Sequence, residues 1–316
     1  MDISKTYLAA DSRYEAMAYP RCGKSGLRLP RIALGFWHNF GDTADYGTMK
    51  ALCCTAFDHG ITYFDLANNY GPAYGSAERN FGQLMDGLFR PYRDELVIAT
   101  KAGYDMWEGP YGNWGSRKYL MASLDQSLKR MHLDYVDLFY SHRYDPDTPL
   151  EETLQALVDI VRAGKALYVG ISRWPLSALS IAETYLRERD VPMLIYQGRL
   201  NLIDRAQQDE GILNFCQEHG IGFISFSPLA QGLLTDRYID GIPSDSRMAK
   251  GRSLRPEMLT ADIAGQLKLY HQEASAQGLS LPEYALRWIL QQEGVTSVLV
   301  GASSVEQLKQ NLRCTE

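Results

Sequence analysis

Short, nearly continuous apolar runs alternate along the chain with longer segments in which apolar residues recur with helical spacing. The apolar runs predict strands at residues 31–37, 61–66, 96–101, 136–141, 166–171, 193–198, 221–227 and 295–301. The periodic segments predict helices at 43–59, 76–88, 116–131, 149–163, 175–188, 209–219, 259–277, 282–292 and 304–312. Apolar strands without polar alternation are typical of a parallel sheet that is buried on both faces.

Eight strand–helix units predict an α/β fold of the (β/α)8 TIM-barrel type, formed by a single domain spanning residues 1–316. A doubly wound sheet is the alternative, but it usually has Gly-x-Gly-x-x-Gly after its first strand, and segment 35–41 does not fit that pattern. Residues 19–30 predict an N-terminal β-hairpin that closes the barrel floor. Two long loops, 102–115 and 228–258, are expected on the C-terminal face, where long loops are usually functional.

Composition narrows the class of protein. Apolar residues make up 45% of the 316 positions and charged residues 22%, as in ordinary globular proteins. The net charge of −6, without a long basic run, argues against nucleic acid or a membrane surface as a partner. The five cysteines include no C-x-x-C pair, and residues 1–20 lack the apolar core of a signal peptide. We therefore expect a cytoplasmic protein with reduced thiols.

Four ionisable residues lie at or just beyond the ends of predicted strands. Asp65, Lys101 and His142 each close a strand, and Tyr70 follows Asp65 in the next loop. In a barrel these positions face one shared mouth, which predicts an enzyme. Taken singly, Asp65 could cap a turn, Tyr70 could be a loop aromatic, and Lys101 could be an ordinary strand end. Their combination at successive strand ends favours a catalytic set.

The chemistry of this set suits carbonyl reduction. An unperturbed tyrosine has a pKa of about 10, and a neighbouring ammonium lowers that pKa. We expect Lys101 to act on Tyr70 in this way, with Asp65 holding Lys101 charged and oriented. His142 would donate a hydrogen bond to a carbonyl oxygen or join the proton relay. Such a set protonates a carbonyl oxygen while a hydride arrives at the carbon.

The motifs around these residues resemble the aldo-keto reductase family. They are Phe64–Gly71, Ala99–Lys101 and Tyr140–Arg143, and the resemblance extends over residues 23–311. It implies NADPH-dependent carbonyl reduction with Tyr70 as the general acid. We expect no metal at the site. Members of the family usually continue for a few tens of residues beyond the position of Asn311, whereas this sequence ends five residues later.

The same resemblance implies a cofactor site. Ser172, Arg173 and Gln197 would hold the nicotinamide carboxamide. Phe226 would stack on the nicotinamide ring, where the family more often has Tyr or Trp. Arg247 aligns with a basic residue that contacts the 2′-phosphate, a group that a guanidinium suits. The other implied cofactor residues are Trp37, Ser227, Pro228, Leu229, Gln231, Gly232, Arg237, Gly301, Ser303, Gln307 and Asn311.

Segments 101–112 and 115–119 resemble the bacterial L-glyceraldehyde 3-phosphate reductase branch of the family, which is akin to the β-subunits of voltage-gated potassium channels. This branch implies short aldehydes, including triose phosphates and methylglyoxal, and a homo-oligomer, either tetramer or octamer. Trp37, Tyr104 and Trp107 would wall a small substrate pocket with Tyr70 and His142. Arg143 and Arg117 are candidates for binding a substrate phosphate.

Three other functions compete with reduction. Channel β-subunits bind nucleotide with little turnover, but they typically lack the histidine that this chain has at His142. A Schiff-base aldolase would use Lys101 as its nucleophile. A metal hydrolase is not favoured, because no His-x-His closes the first strand and the six histidines are scattered.

Overall fold

The computed structural model describes residues 7–244, 246, 248–249 and 254–315. In this part of the chain, eight parallel strands close into a barrel in chain order. They are β1 (Ile32–Gly35), β2 (Tyr63–Asp65), β3 (Val97–Ala102), β4 (Val136–Ser141), β5 (Ala166–Ser172), β6 (Met193–Arg199), β7 (Gly222–Phe226) and β8 (Val295–Val300). The closed barrel confirms the predicted (β/α)8 fold and rules out the open doubly wound sheet.

Helices surround the barrel, as the periodic segments predict. They are α1 (Tyr46–Asp58), α2 (Ser76–Leu84), α3 (Arg117–Met131), α4 (Leu150–Arg162), α5 (Leu176–Arg187), α6 (Ala206–Asp209), α7 (Ile212–His219), α8 (Ala261–Ala276), α9 (Leu281–Leu290) and α10 (Val305–Leu312). Short 3-10 turns lie at Asp11–Tyr14, Arg90–Glu95, Ala230–Gly232, Asp236–Tyr238, Pro256–Met258 and Arg313–Thr315. No helix among these is long and apolar enough to cross a membrane.

Two predicted helices differ in detail from the structure. The predicted helix at 209–219 is divided into α6 and α7, because Gly211 has a φ of 80° and interrupts the helical backbone. The predicted helix at 76–88 is α-helical only to Leu84, and a π-helical turn, Met85–Phe89, follows. Neither change moves a residue that faces the barrel mouth.

The segment before β1 closes the N-terminal end of the barrel. A single antiparallel bridge joins Arg21 to Arg28, so the predicted hairpin is a tight turn rather than two extended strands. The amide of Lys24 donates to the carbonyl of Gly220 at 2.8 Å, which ties the turn to the chain entering β7. Buried side chains from this turn pack with the interior of the barrel; that cluster consists of Cys22, Leu29, Ala33, Tyr63, Val97, Ala99, Leu138, Tyr140, Leu194, Ile195 and Ile224.

At the other end, the chain after β7 covers the barrel mouth. A separate apolar cluster anchors this segment to α8 and α9; its buried members are Leu202, Leu233, Leu234, Tyr238, Met248, Leu254, Leu267, Leu281 and Ala285. Burial of this apolar surface holds the covering segment in place and leaves its polar groups facing the mouth.

Candidate active site

The four predicted catalytic residues meet beneath the mouth of the barrel. Asp65 ends β2, Lys101 lies near the end of β3, and His142 directly follows β4. The Lys101 ammonium donates to the Asp65 carboxylate, to the carbonyl of Leu66 at 2.6 Å and to the Tyr70 hydroxyl at 3.3 Å. Parallel strands carry their C-terminal ends to one rim, which is why residues 77 positions apart converge.

Lys101 is fully buried, and its charge depends on its neighbours. Burial lowers the pKa of Lys101, while the facing Asp65 carboxylate and, from further away, Glu78 act in the opposite direction. A buried ammonium needs such a paired and hydrogen-bonded anion, because desolvation alone would favour the neutral amine. Asp65 therefore keeps a positive charge next to the Tyr70 hydroxyl.

The pKa of Tyr70 changes in the opposite direction to the sequence-based expectation. Burial raises this pKa well above its ordinary value, and the negative charge of Asp65 adds to the rise. Desolvation of the phenolate outweighs the opposing positive charge of Arg173, so the net lowering of the pKa that the sequence suggested is not found. Tyr70 holds its proton at neutral pH and is available as an acid.

His142 is held in its neutral form. Burial lowers its pKa well below the ordinary value, and the positive charges of Lys101, Arg173 and Arg143 act in the same direction. The imidazole ring lies 5.9 Å from the Tyr70 ring and 4.8 Å from the Tyr104 ring, both edge to face. A neutral imidazole keeps one N–H donor, so His142 can bind a carbonyl oxygen without carrying charge.

A cavity of about 460 Å³ opens above Tyr70 and His142. Its lining includes most of the residues predicted for cofactor and substrate: Trp37, Tyr104, Ser172, Arg173, Gln197, Phe226, Ser227, Pro228, Leu229, Gln231, Gly232, Arg237, Gly301, Ser303 and Gln307. A second cavity of about 350 Å³ adjoins it, shares Leu229, Arg237, Ser303 and Gln307, and adds Asn311. The two cavities, which share lining residues, together form a cleft that extends from Tyr70 and His142 to α10.

The wall formed by residues 227–232 has an unusual backbone. Ser227, Ala230 and Gln231 have φ values of 51°, 45° and 61°, in the left-handed region that non-glycine residues rarely adopt. Such conformations cost free energy and are concentrated at ligand-binding segments. The strain is consistent with a segment shaped to surround a ligand.

Other predicted site residues lie elsewhere. Trp107 packs against Tyr119, with ring centroids 5.2 Å apart, rather than lining either cavity. Arg117 pairs with the Asp159 carboxylate between α3 and α4. Arg247 falls outside the described residues.

Arg143 is also committed to a structural role. Its guanidinium donates to the carbonyl of Gly103 and to Asn113 Oδ1, each at 2.7 Å, and lies 3.5 Å from the centroid of a Trp114 ring. These contacts hold the loop after β3 and leave the side chain outside the cavity lining. Neither arginine predicted to bind a substrate phosphate faces the cleft.

The sequence interpretation missed nine residues that line the larger cavity: Gly35, His38, Asn39, Asn69, Arg199, Thr235, Tyr238, Leu299 and Val300. Arg199 had a usable signal, because it lies two positions after Gln197 on β6 and alternate residues of a strand share a face. It pairs in register with Phe226, and its guanidinium lies 5.6 Å from the centroid of that ring.

The larger cavity has a strong charge bias. Among the described residues its lining includes Arg173, Arg199 and Arg237 but no aspartate or glutamate, although the chain as a whole carries a net charge of −6. Arg199 also pairs with the Asp204 carboxylate at 3.3 Å, outside this lining, and the remaining positive excess along the lining favours an anionic ligand.

Fold and site together define the class of protein: a (β/α)8 barrel enzyme whose buried ionisable residues lie at the C-terminal ends of the strands. The family model described as Aldo/keto reductase family matches residues 31–316. The chain therefore belongs to the aldo-keto reductase family and is an oxidoreductase.

Named relatives agree with this assignment. The chain is 54% identical over 311 residues to L-glyceraldehyde 3-phosphate reductase of Escherichia coli (strain K12), covering 97% of this chain and 90% of the relative. The protein of the same name from Escherichia coli O157:H7 is 55% identical over the same length and coverage. A probable voltage-gated potassium channel subunit beta of Oryza sativa subsp. japonica is 35% identical over 307 residues, covering 95% of this chain and 92% of the relative.

Proposed function

We propose that the chain is an NADPH-dependent reductase of short aldehydes, of the glyceraldehyde 3-phosphate and methylglyoxal class, with Tyr70 as the general acid. The observation that carries this proposal is the buried contact of the Lys101 ammonium with both the Asp65 carboxylate and the Tyr70 hydroxyl, at the floor of an arginine-lined cavity. Aldo-keto reductases use nicotinamide cofactors, generally NADPH.

The chain's own residues fit such a cofactor. Ser172, Arg173 and Gln197 lie together at the ends of β5 and β6, where they can hold a carboxamide, and Phe226 on β7 offers a ring face for stacking. At the far end of the cleft, Asn311 Nδ2 is buried and has no hydrogen-bond partner in the described part of the chain. An unsatisfied buried donor is costly, so a ligand acceptor at this position would be favourable.

The cofactor, when bound, supplies a hydride to the carbonyl carbon. Tyr70 donates its proton to the carbonyl oxygen, so that an alcohol forms and a phenolate remains. The Lys101 ammonium stabilises this phenolate in a buried site, where the interaction is stronger than at the protein surface. Asp65 keeps Lys101 charged, and neutral His142 donates a hydrogen bond that orients the carbonyl oxygen.

The substrate class follows from the size and charge of the cleft. Trp37 and Tyr104 flank Tyr70 and His142 in the cavity lining and would contact a small aldehyde. The absence of carboxylates from the described lining of the larger cavity suits a phosphorylated substrate as well as a dinucleotide, and the Escherichia coli relatives carry a triose phosphate in their name.

The test is oxidation of NADPH, followed by its absorbance, with a panel of short aldehydes that includes glyceraldehyde, glyceraldehyde 3-phosphate and methylglyoxal. Oxidation of NADPH that depends on one of these aldehydes supports the proposal, and the kcat/KM values rank the aldehydes as substrates. Tight NADPH binding without turnover on any aldehyde would refute it and favour a second candidate, a nucleotide-sensing subunit. That candidate is motivated by the 35% identity to a probable potassium channel subunit beta.

A further inference from the structure

Below the proposed catalytic residues, the barrel interior holds two tyrosines that the mechanism does not use. Tyr63 on β2 and Tyr140 on β4 are fully buried. Their hydroxyl oxygens lie 2.8 Å apart, and that of Tyr63 lies 3.4 Å from Asp65 Oδ1. Their rings pack among the apolar side chains of the interior cluster, including Ala99, Leu138, Ile195 and Ile224. Two hydroxyls in such surroundings cost free energy unless both are bonded.

The position of the Tyr140 ring depends on a glycine, Gly170, on the neighbouring strand β5. A Cβ atom at Gly170 of β5 would lie 2.5 Å from Tyr140 Cε1 and 2.6 Å from Tyr140 Cδ1, far inside contact distance. Gly170 therefore opens the inner wall of the barrel for the Tyr140 ring, and the hydroxyl of that ring then reaches Tyr63.

The charge of Asp65 determines which hydroxyl of this pair donates each hydrogen bond. Each phenol has one proton to donate, and the carboxylate only accepts. Tyr63 must therefore donate to Asp65 Oδ1, which leaves Tyr140 to donate to the oxygen of Tyr63. Burial raises the pKa of both tyrosines well above the ordinary value, so both keep their protons. Hydrogen bonds in such a chain strengthen one another.

The two oxygens of Asp65 have different partners. Oδ2 faces the Lys101 ammonium, while Oδ1 accepts from Gln197 Nε2 at 2.9 Å and from Tyr63. Gln197 also lines the cavity, where the proposed function gives it a cofactor carboxamide to bind. Tyr63 is thus the donor that serves Asp65 from below, away from any ligand.

We propose that Tyr63 and Tyr140 are positioning residues, a hydrogen-bonded pair that holds the Asp65 carboxylate against Lys101 and so places the ammonium beside the Tyr70 hydroxyl. This inference rests on the proposed function, because the pair acts on turnover only through Tyr70 as the acid. The two tyrosines would thus affect turnover although neither lines the cleft.

The test compares Tyr63→Phe, Tyr140→Phe and the double variant in steady-state aldehyde reduction. Loss of a hydrogen bond to a buried carboxylate predicts that Tyr63→Phe lowers kcat about tenfold, with aldehyde KM and NADPH Kd near wild type. Tyr140→Phe lowers kcat only about twofold to threefold. Tyr63 still donates its proton to Asp65 in this variant, and that hydrogen bond loses only the strengthening that the bond from Tyr140 gave it. The double variant matches Tyr63→Phe, because the two hydroxyls act as one chain.

Tyr19→Phe is the matched control. The Tyr19 hydroxyl donates to the carbonyl of Gly60 at 2.7 Å, at the opposite end of the barrel, so its loss removes one hydrogen bond without touching Asp65. Its kcat should equal that of wild type. The double variant also guards against misfolding, because it leaves neither hydroxyl without a partner.

Wild-type kcat in Tyr63→Phe, or a double variant whose loss is the product of the two single losses, overturns the positioning role. If Tyr70→Phe loses turnover in the same assay, the reductase mechanism survives that failure. If Tyr70→Phe retains turnover, the proposed acid and the positioning pair fall together.

Discussion

Burial sets the protonation states of Tyr70 and His142, two of the proposed catalytic residues, more strongly than the neighbouring charges do. The sequence places Tyr70 near Lys101 but does not reveal that both are enclosed, and enclosure reverses the sign of the change in the Tyr70 pKa. His142 shows the same control, since its pKa falls well below the ordinary value mainly because it is buried. The resting site therefore combines a neutral phenol, a neutral imidazole and one ion pair.

The lowered pKa of His142 predicts a specific loss of stability in acid. The unfolded chain binds a proton at His142 below about pH 6.5, whereas the folded protein does not until a much lower pH. Stability from this residue is thus unaffected above that value and falls as pH drops below it. Between about pH 7 and pH 5.5, wild type should lose about 1 kcal/mol more than His142→Gln.

Urea unfolding of both proteins at the two pH values measures this difference. Parallel losses in the two proteins would show that His142 takes up a proton in the folded state, which contradicts its neutral role.

Replacing Arg247 tests whether this side chain selects NADPH over NADH. Its alignment with a 2′-phosphate contact predicts that Arg247→Gln weakens NADPH by about tenfold or more and NADH little, because only NADPH carries that group. Fluorescence titration with both cofactors gives the two Kd values. Equal weakening of both would remove Arg247 from recognition of the 2′-phosphate.

Among the helices, the approach of α2 to α3 depends on one residue. A Cβ atom at Gly82 would lie 2.3 Å from the carbonyl oxygen of Arg130 and 3.2 Å from Met131, so any side chain must push the helices apart. This contact supports the site, because α2 also carries Glu78, whose carboxylate accepts from Thr100 at 2.5 Å, one residue before Lys101.

We predict that Gly82→Ala lowers the free energy of unfolding by roughly 1–3 kcal/mol through this overpacking. Gly265→Ala is the matched control: Gly265 is exposed within α8, and a Cβ there meets nothing within 4 Å. That substitution should raise stability by about 0.5–1 kcal/mol, since alanine favours the helix. Chemical denaturation gives the free energy of unfolding of each variant. Equal changes in the two variants would contradict the close approach of α2 to α3 at Gly82.

The strands were predictable as short continuous apolar runs and the helices by their helical spacing, but the directions of side chains beyond the strand ends were not. Asp65, Lys101 and His142 converge because parallel strand ends share a rim. Trp107 lies in the loop between β3 and α3, where packing on Tyr119 decides the direction of its side chain, and Arg117 begins α3, where pairing with Asp159 does so.

For the whole molecule, the barrel and most of the cleft follow from sequence, while contacts across the barrel do not. The Tyr63–Tyr140 hydrogen bond needs the register of several strands and the space left by Gly170, neither of which a single sequence reveals. A single domain spanning residues 1–316, homo-oligomeric assembly and a cytoplasmic location stay predictions.

The central claim is that the Tyr70 hydroxyl supplies the proton, and Tyr70→Phe tests it most directly. The variant keeps the ring and loses only the hydroxyl that Lys101 contacts at 3.3 Å. With saturating NADPH and the best aldehyde of the panel, kcat should fall about 100-fold to 10,000-fold while NADPH Kd stays near wild type, as loss of a general acid predicts. A kcat close to wild type would contradict the account.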